Sequence, residues 1–67
     1  MMIDKAIDYL NRLRTEYKTT SDAQRRLEIK EIGKRVRKTV DMLKKTGRTE
    51  EEKDLEAERI IKDLSKE

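Results

Sequence analysis

The apolar residues of this chain recur at steps of three and four, which is the spacing that places side chains along one side of an α-helix. Three such stripes follow one another along the 67 residues. The first consists of Ile3, Ala6, Ile7, Leu10, Leu13 and Tyr17. The second consists of Ile29, Ile32, Val36, Val40 and Leu43, and the third of Ala57, Ile60, Ile61 and Leu64. The pattern predicts three amphipathic helices.

The first break in the pattern falls at residues 18–20, a Lys-Thr-Thr run whose threonines have stiff side chains that fit a helix interior poorly. Ser21 follows, with Gln24 three positions later. This spacing is typical of a capping box, in which each side chain bonds a backbone N–H at the start of a helix. We therefore expect helix one over residues 3–18 and a second helix that begins at Asp22.

The second break is marked by Gly47, which comes shortly after two lysines. A cationic last turn followed by glycine is typical of a helix end, so helix two is predicted over residues 22–46. Thr49 and Glu52 repeat the capping-box spacing, and acidic residues fill the first turn that follows. Helix three is therefore predicted over residues 50–65.

Two short connections between three amphipathic helices favour antiparallel neighbours. The predicted fold is all-α, a small up-down-up three-helix bundle that forms one domain over residues 1–67. Gly33 lies beside the apolar stripe of helix two, where a glycine costs about 1 kcal/mol relative to alanine. It indicates either the close approach of another backbone or a tolerated, uninformative position.

The composition argues against a chemical site. The chain has no His and no Cys, and its two glycines stand too far apart for a phosphate-binding loop. The serines and threonines are explained by predicted caps and connections. We therefore expect a protein that is not an enzyme and that has no cofactor, metal or small-molecule ligand. No signal peptide or membrane-length apolar run is present, which predicts a soluble, cytoplasmic protein without a membrane partner.

Charge is divided along the chain: residues 24–48 carry ten Lys or Arg against three Asp or Glu, and residues 49–67 carry four against eight. One interpretation is that the basic helix two pairs with the acidic helix three inside the fold. The other is that it attracts an acidic protein or the phosphates of a nucleic acid. The candidate phosphate-contacting residues are Arg26, Lys30, Lys34, Arg37, Lys38, Lys44 and Lys45.

Three apolar residues, Leu27, Met42 and Leu55, lie off the stripes of their own helices. Isolated apolar residues are normal on protein surfaces. Three of them in so small a chain are alternatively a face for self-association, and they are the candidate contacts of a homodimer.

The sequence identifies no specific function. Our first hypothesis is a non-enzymatic helical interaction or structural module. The alternative is a small accessory protein, of the phage or plasmid type, that binds nucleic acid through the basic face of helix two. Two origins are consistent with the sequence. The regular capping signals and abundant surface charge are typical of a de novo designed three-helix scaffold, whereas a first connection without glycine and the off-stripe Leu27 are typical of a natural chain.

Overall fold

The computed structural model describes residues 2–65, and these form three α-helices that all pack against one another. They are α1 (Met2–Thr19), α2 (Ala23–Lys45) and α3 (Glu51–Ser65). The all-α three-helix bundle is confirmed, and every predicted helix end lies within one residue of the observed one. Local apolar spacing and turn chemistry were sufficient for this because both act within a few residues of the chain.

Contacts between the helices show their directions. The side chains of Glu16 and Arg25 pair across the first connection, so α2 returns alongside α1. Asp4 pairs with Lys53, and Arg14 pairs with Asp63. Both of the latter pairs join residues 49 positions apart, with the early residues of α1 beside the early residues of α3. The helices therefore run up, down and up, with α1 and α3 parallel.

The core contains all three predicted stripes. Eleven hydrophobic residues of the described chain are buried: Ile3, Ile7, Leu10, Leu13, Ile29, Val40, Leu43, Ala57, Ile60, Ile61 and Leu64. The remaining stripe residues, Ala6, Tyr17, Ile32 and Val36, are partly buried and pack against that cluster. Helical spacing therefore predicted which side of each helix faces its neighbours.

The start of α2 corrects one prediction. The N-cap is Asp22 and not Ser21, and the helix begins at Ala23. Oδ1 of Asp22 accepts hydrogen bonds from the backbone N–H of Gln24 at 3.0 Å and of Arg25 at 3.4 Å. A carboxylate satisfies these donors and also interacts favourably with the positive end of the helix dipole, which the neighbouring hydroxyl does not.

The end of α2 agrees with its prediction. Thr46 is the C-cap, and Gly47 adopts a φ of 70°, which a residue with a side chain rarely tolerates. The N–H of Arg48 donates to the carbonyl of Leu43 at 2.9 Å, and that of Gly47 donates to the carbonyl of Lys44 at 3.2 Å. These two bonds form a Schellman motif, which satisfies carbonyls that the helix leaves without partners.

The predicted start of helix three is also corrected. Helix α3 begins at Glu51, and the Thr49 hydroxyl donates to Oδ2 of Asp54 at 3.1 Å instead of forming a capping box with Glu52. Of the two alternatives for Gly33, the close approach of a backbone is not observed: Gly33 is buried, and what approaches it is a side chain. A Cβ at this position would lie 3.4 Å from Cδ1 of Leu64 on α3.

Candidate nucleic-acid interface

The cations of α2 extend from the side that faces α3 round to the outward side of the helix. At 100° per residue, Arg26, Lys30, Arg37 and Lys44 share the first of these sides. Lys34, Lys38 and Lys45 continue the same surface outward. We refer to these seven residues as the cationic face, and all seven lie on α2.

The half of this face that is nearer the start of α2 borders a hollow of about 330 Å³ between α2 and α3. Three cations form one wall, and two apolar side chains of α3 form the other. The residues that define it are Lys30, Lys34 and Arg37 with Ile61, Leu64 and Ser65. The described part of its lining contains no carboxylate, so this half is suited to an anion.

The other half is electrically mixed. A second hollow, of about 320 Å³, is lined by Arg37, Lys44 and Lys62 but also by the carboxylates of Asp41, Asp54 and Glu58. Oδ1 of Asp54 is buried and accepts no hydrogen bond within residues 2–65. Negative charge here repels a phosphate, so the cationic face is strongest between residues 26 and 38.

Within residues 2–65, pairing between the basic α2 and the acidic α3 accounts for little of the charge of α2. Lys44 Nζ lies 3.8 Å from Glu58 Oε1, and both side chains are more than half exposed. Lys34 pairs with Glu31 on its own helix, at 3.5 Å. By contrast, Arg26, Arg37, Lys38 and Lys45 form no ion pair within residues 2–65. Several cations of α2 therefore remain available to a partner.

Arg25 connects α2 to α1. Its guanidinium bonds both carboxylate oxygens of Glu16 on α1 and also reaches Glu28, at 3.1 Å. Hydrogen bonding to Arg25 lowers the pKa of Glu16, and the same contact raises the pKa of Arg25. Arg25 therefore belongs to the contact between α1 and α2 and not to the cationic face.

Tyr17 lies under the cationic face and does not extend it. The guanidinium carbon of Arg26 is 4.4 Å from the centroid of its ring, and Lys30 Nζ is 5.9 Å from the same point. These are cation–π distances. The ring packs against the core on one side and is covered by Arg26 on the other, so it is not free to stack on a nucleobase.

The candidate self-association residues are exposed, as expected, but they do not form one patch. Leu27, Met42 and Leu55 are 64%, 68% and 50% exposed. The first two lie on the outward side of α2, about 22 Å apart along the helix at 1.5 Å per residue. Leu55 lies on the outward side of α3. Self-association through all three together remains a prediction, without support from their placement.

The structure also exposes two apolar residues that the sequence reasoning missed. Met2 and Tyr9 are 58% and 45% exposed and lie where α1 borders α2. Tyr9 falls off the apolar stripe of α1 on the side of α2. This offset from the stripe was visible in the sequence. It could not be interpreted without knowing which helix packs against α1 on that side.

No helix within residues 2–65 has the length and apolar character needed to cross a membrane. The same part of the chain holds no group of three or more His, Cys, Asp or Glu side chains arranged to bind a metal ion. Comparison with protein-family models, curated proteins and solved structures gives no match to this chain.

Proposed function

We propose that the protein is a non-enzymatic helical interaction module that binds the phosphate backbone of a nucleic acid through the cationic face of α2. One observation carries the proposal. Arg37 and Lys38 form no ion pair within residues 2–65, although an acidic helix packs alongside α2. Cations that the fold does not use are the ones that a polyanion can contact.

The dimensions favour phosphates as the ligand. Arg26 and Lys38 are twelve residues apart, which is about 18 Å of helix. Each strand of a DNA duplex carries a phosphate about every 3.4 Å along its axis, so several cations can be engaged at once. The major groove, about 12 Å wide, also admits an α-helix. Binding of this kind depends strongly on salt and only weakly on base sequence.

A duplex fits this surface better than a single strand. Proteins that hold single strands without sequence preference usually stack bases on exposed aromatic rings. The chain has two tyrosines and no other aromatic residue. Tyr17 is covered by Arg26, and Tyr9 lies in the groove between α1 and α2, away from the cationic face.

The test is fluorescence anisotropy of a labelled generic duplex at low salt, with a matched pair of quadruple variants. The first replaces four cations of the face: Lys30→Gln, Lys34→Gln, Arg37→Gln and Lys38→Gln. The control removes the same number of charges elsewhere: Lys5→Gln, Arg12→Gln, Lys18→Gln and Arg59→Gln. All eight residues are at least partly exposed, so helicity by circular dichroism should be preserved in both variants.

We expect the face variant to lose binding and the control to keep most of it. Equal losses in the two variants would mean that net charge and not the face attracts the duplex. The absence of binding by the parent protein at low salt would overturn the proposal outright.

A further inference from the structure

We infer that the hollow between α2 and α3 beside Gly33 is the seat of one strand's sugar-phosphate backbone. This seat rests on the proposed function, because the strand it holds belongs to the duplex bound by the cationic face. The alternative geometry places the outward side of α2 against the duplex and does not use the hollow. The Gly33 hollow, as we call it, is lined by Lys30, Gly33, Lys34, Arg37, Ile61, Leu64 and Ser65.

The two walls of the Gly33 hollow differ in chemistry. Its α2 wall carries Lys30, Lys34 and Arg37, which are four and three positions apart and are therefore neighbours on one side of the helix. Its α3 wall carries Ile61 and Leu64. A sugar-phosphate backbone has the same division, because its phosphates are anionic while much of each sugar is hydrocarbon. An inorganic anion or a carboxylate side chain would use the cationic wall alone.

Three neighbouring cations repel one another, and the fold does little to relieve this repulsion. Lys34 reaches Glu31 at 3.5 Å, but the two side chains are 74% and 67% exposed, so the pair contributes little. Arg37 forms no ion pair within residues 2–65. Like charges at these helical spacings are destabilising, and bound phosphates would replace that repulsion with attraction.

Gly33 keeps the hollow open. Alanine is favoured over glycine inside a helix, and among the described residues a Cβ here would meet only Cδ1 of Leu64, at an ordinary contact distance of 3.4 Å. Packing between α2 and α3 therefore does not require glycine at this position. Gly33 itself lines the hollow, so a longer side chain would extend into the space that the strand occupies.

The seat is short because carboxylates follow it along the groove. Lys30 and Arg37 are seven residues apart, which is about 10.5 Å of helix and matches about three phosphates of one strand. Arg37 also lines the second hollow between α2 and α3. The carboxylates of that hollow, which repel a strand that continues past Arg37, are those of Asp41, Asp54 and Glu58.

A matched pair of charge variants tests the seat by fluorescence anisotropy of a labelled generic duplex at low salt. Ser65→Glu places a carboxylate at the Gly33 hollow. Thr39→Glu is the control, because it adds the same charge on the side of α2 that borders α1. Both residues are exposed, and the hydroxyl of each donates to a carbonyl of its own helix, Ser65 to Lys62 at 2.9 Å and Thr39 to Arg35 at 3.3 Å. We expect Ser65→Glu to weaken binding at least about tenfold and Thr39→Glu to weaken it less than about threefold, with helicity unchanged in both.

The two glycine amides report the position of the strand in the parent protein. In a nitrogen–proton correlation NMR spectrum, the duplex should shift the Gly33 resonance and leave the Gly47 resonance nearly in place. Gly47 lies beyond the end of α2 and does not line the hollow. This measurement does not depend on any variant folding correctly.

The outcomes separate the seat from the proposed function. Absence of binding by the parent protein would overturn both. Binding by the parent with equal losses in Ser65→Glu and Thr39→Glu, or with no shift of the Gly33 resonance, would overturn the seat alone and leave the outward side of α2 as the contact. A selective loss in Ser65→Glu together with a shifted Gly33 resonance would support the seat.

Discussion

Lys53 of α3 lies with its Nζ 3.0 Å from Oδ1 of Asp4 on α1, and this ion pair aligns the starts of two helices that are not consecutive in the chain. Arg14 and Asp63, 3.2 Å apart, repeat the same 49-residue offset further along both helices. Apolar stripes alone allow two helices to slide by a turn with little loss of packing. Two ion pairs in one register favour a single alignment of α1 and α3.

The first prediction concerns acid. The Lys53 ammonium holds the pKa of Asp4 below its ordinary 3.8, and hydrogen bonding to Arg25 holds that of Glu16 below its ordinary 4.5. The folded protein therefore binds fewer protons than the unfolded chain around these values. The stabilisation is fully present above about pH 5 and is lost as pH falls through the lowered pKa values of the folded state.

Thermal melts followed by circular dichroism between pH 7 and 2 would measure this loss. We expect the Tm of the parent to fall below about pH 4.5 and the fall to be shallower for Asp4→Asn. Asp8→Asn is a suitable control, because Asp8 is exposed and forms no ion pair within residues 2–65. A parent and an Asp4→Asn variant with parallel pH profiles would show that the pair contributes nothing measurable.

The second prediction concerns the start of α2. Asp22→Ala removes the acceptor for two backbone N–H groups and should lower the free energy of unfolding by about 1 kcal/mol. Ser21→Ala should leave it within about 0.5 kcal/mol, since Ser21 is exposed and does not cap the helix. Urea titration measures both. A larger loss for Ser21→Ala than for Asp22→Ala would refute this assignment of the cap.

The same two residues show where sequence reasoning ends. Ser21 and Asp22 are both good N-cap residues in adjacent positions, so local chemistry predicts the helix start to within one residue but does not choose between them. The stripes were predictable because helical periodicity is local. The register of α1 against α3 was not predictable, because it depends on ion pairs, such as that of Arg14 with Asp63, between residues that are distant in sequence.

The candidate interface, like the fold, could be predicted from the sequence only in part. Spacing alone placed the cations of α2 on one surface. Which of these cations can bind a partner depends on the carboxylates of the neighbouring helices. Glu16 forms an ion pair with Arg25 and Glu58 forms one with Lys44, whereas Arg37 has no ion pair within residues 2–65. The apolar groove beside Tyr9 could not be predicted from the sequence, because it depends on the position of α2 relative to α1.

The third prediction compares the two glycines. Gly47→Ala should destabilise the fold by about 1–2 kcal/mol, because alanine at a φ of 70° is strained although nothing lies within 4 Å of its Cβ. Gly33→Ala should stabilise it by up to about 1 kcal/mol, because a helix interior favours alanine and the new Cβ makes an ordinary contact with Leu64. Urea titration of both variants checks the signs. If Gly33→Ala is the more damaging change, the packing between α2 and α3 is tighter than the structure shows.

The fourth prediction concerns the salt dependence of duplex binding. If the five residues of the cationic face from Arg26 to Lys38 each contact a phosphate, the logarithm of the binding constant should fall against the logarithm of salt concentration with a slope of about −4 to −5. Arg37→Gln and Lys38→Gln should each reduce the magnitude of that slope by about 1. Lys5→Gln, on α1, should leave it unchanged.

Arg37 and Lys38 are the informative positions because neither forms an ion pair within residues 2–65. Removing either cation should therefore leave the urea midpoint unchanged, so any change in slope reports contact with the duplex and not partial unfolding. Slopes that are identical in the parent, Arg37→Gln and Lys38→Gln would place the phosphates elsewhere on the molecule. A reduced slope together with a lowered urea midpoint would instead mean that these side chains stabilise the fold, which the absence of ion pairs at both positions within residues 2–65 argues against.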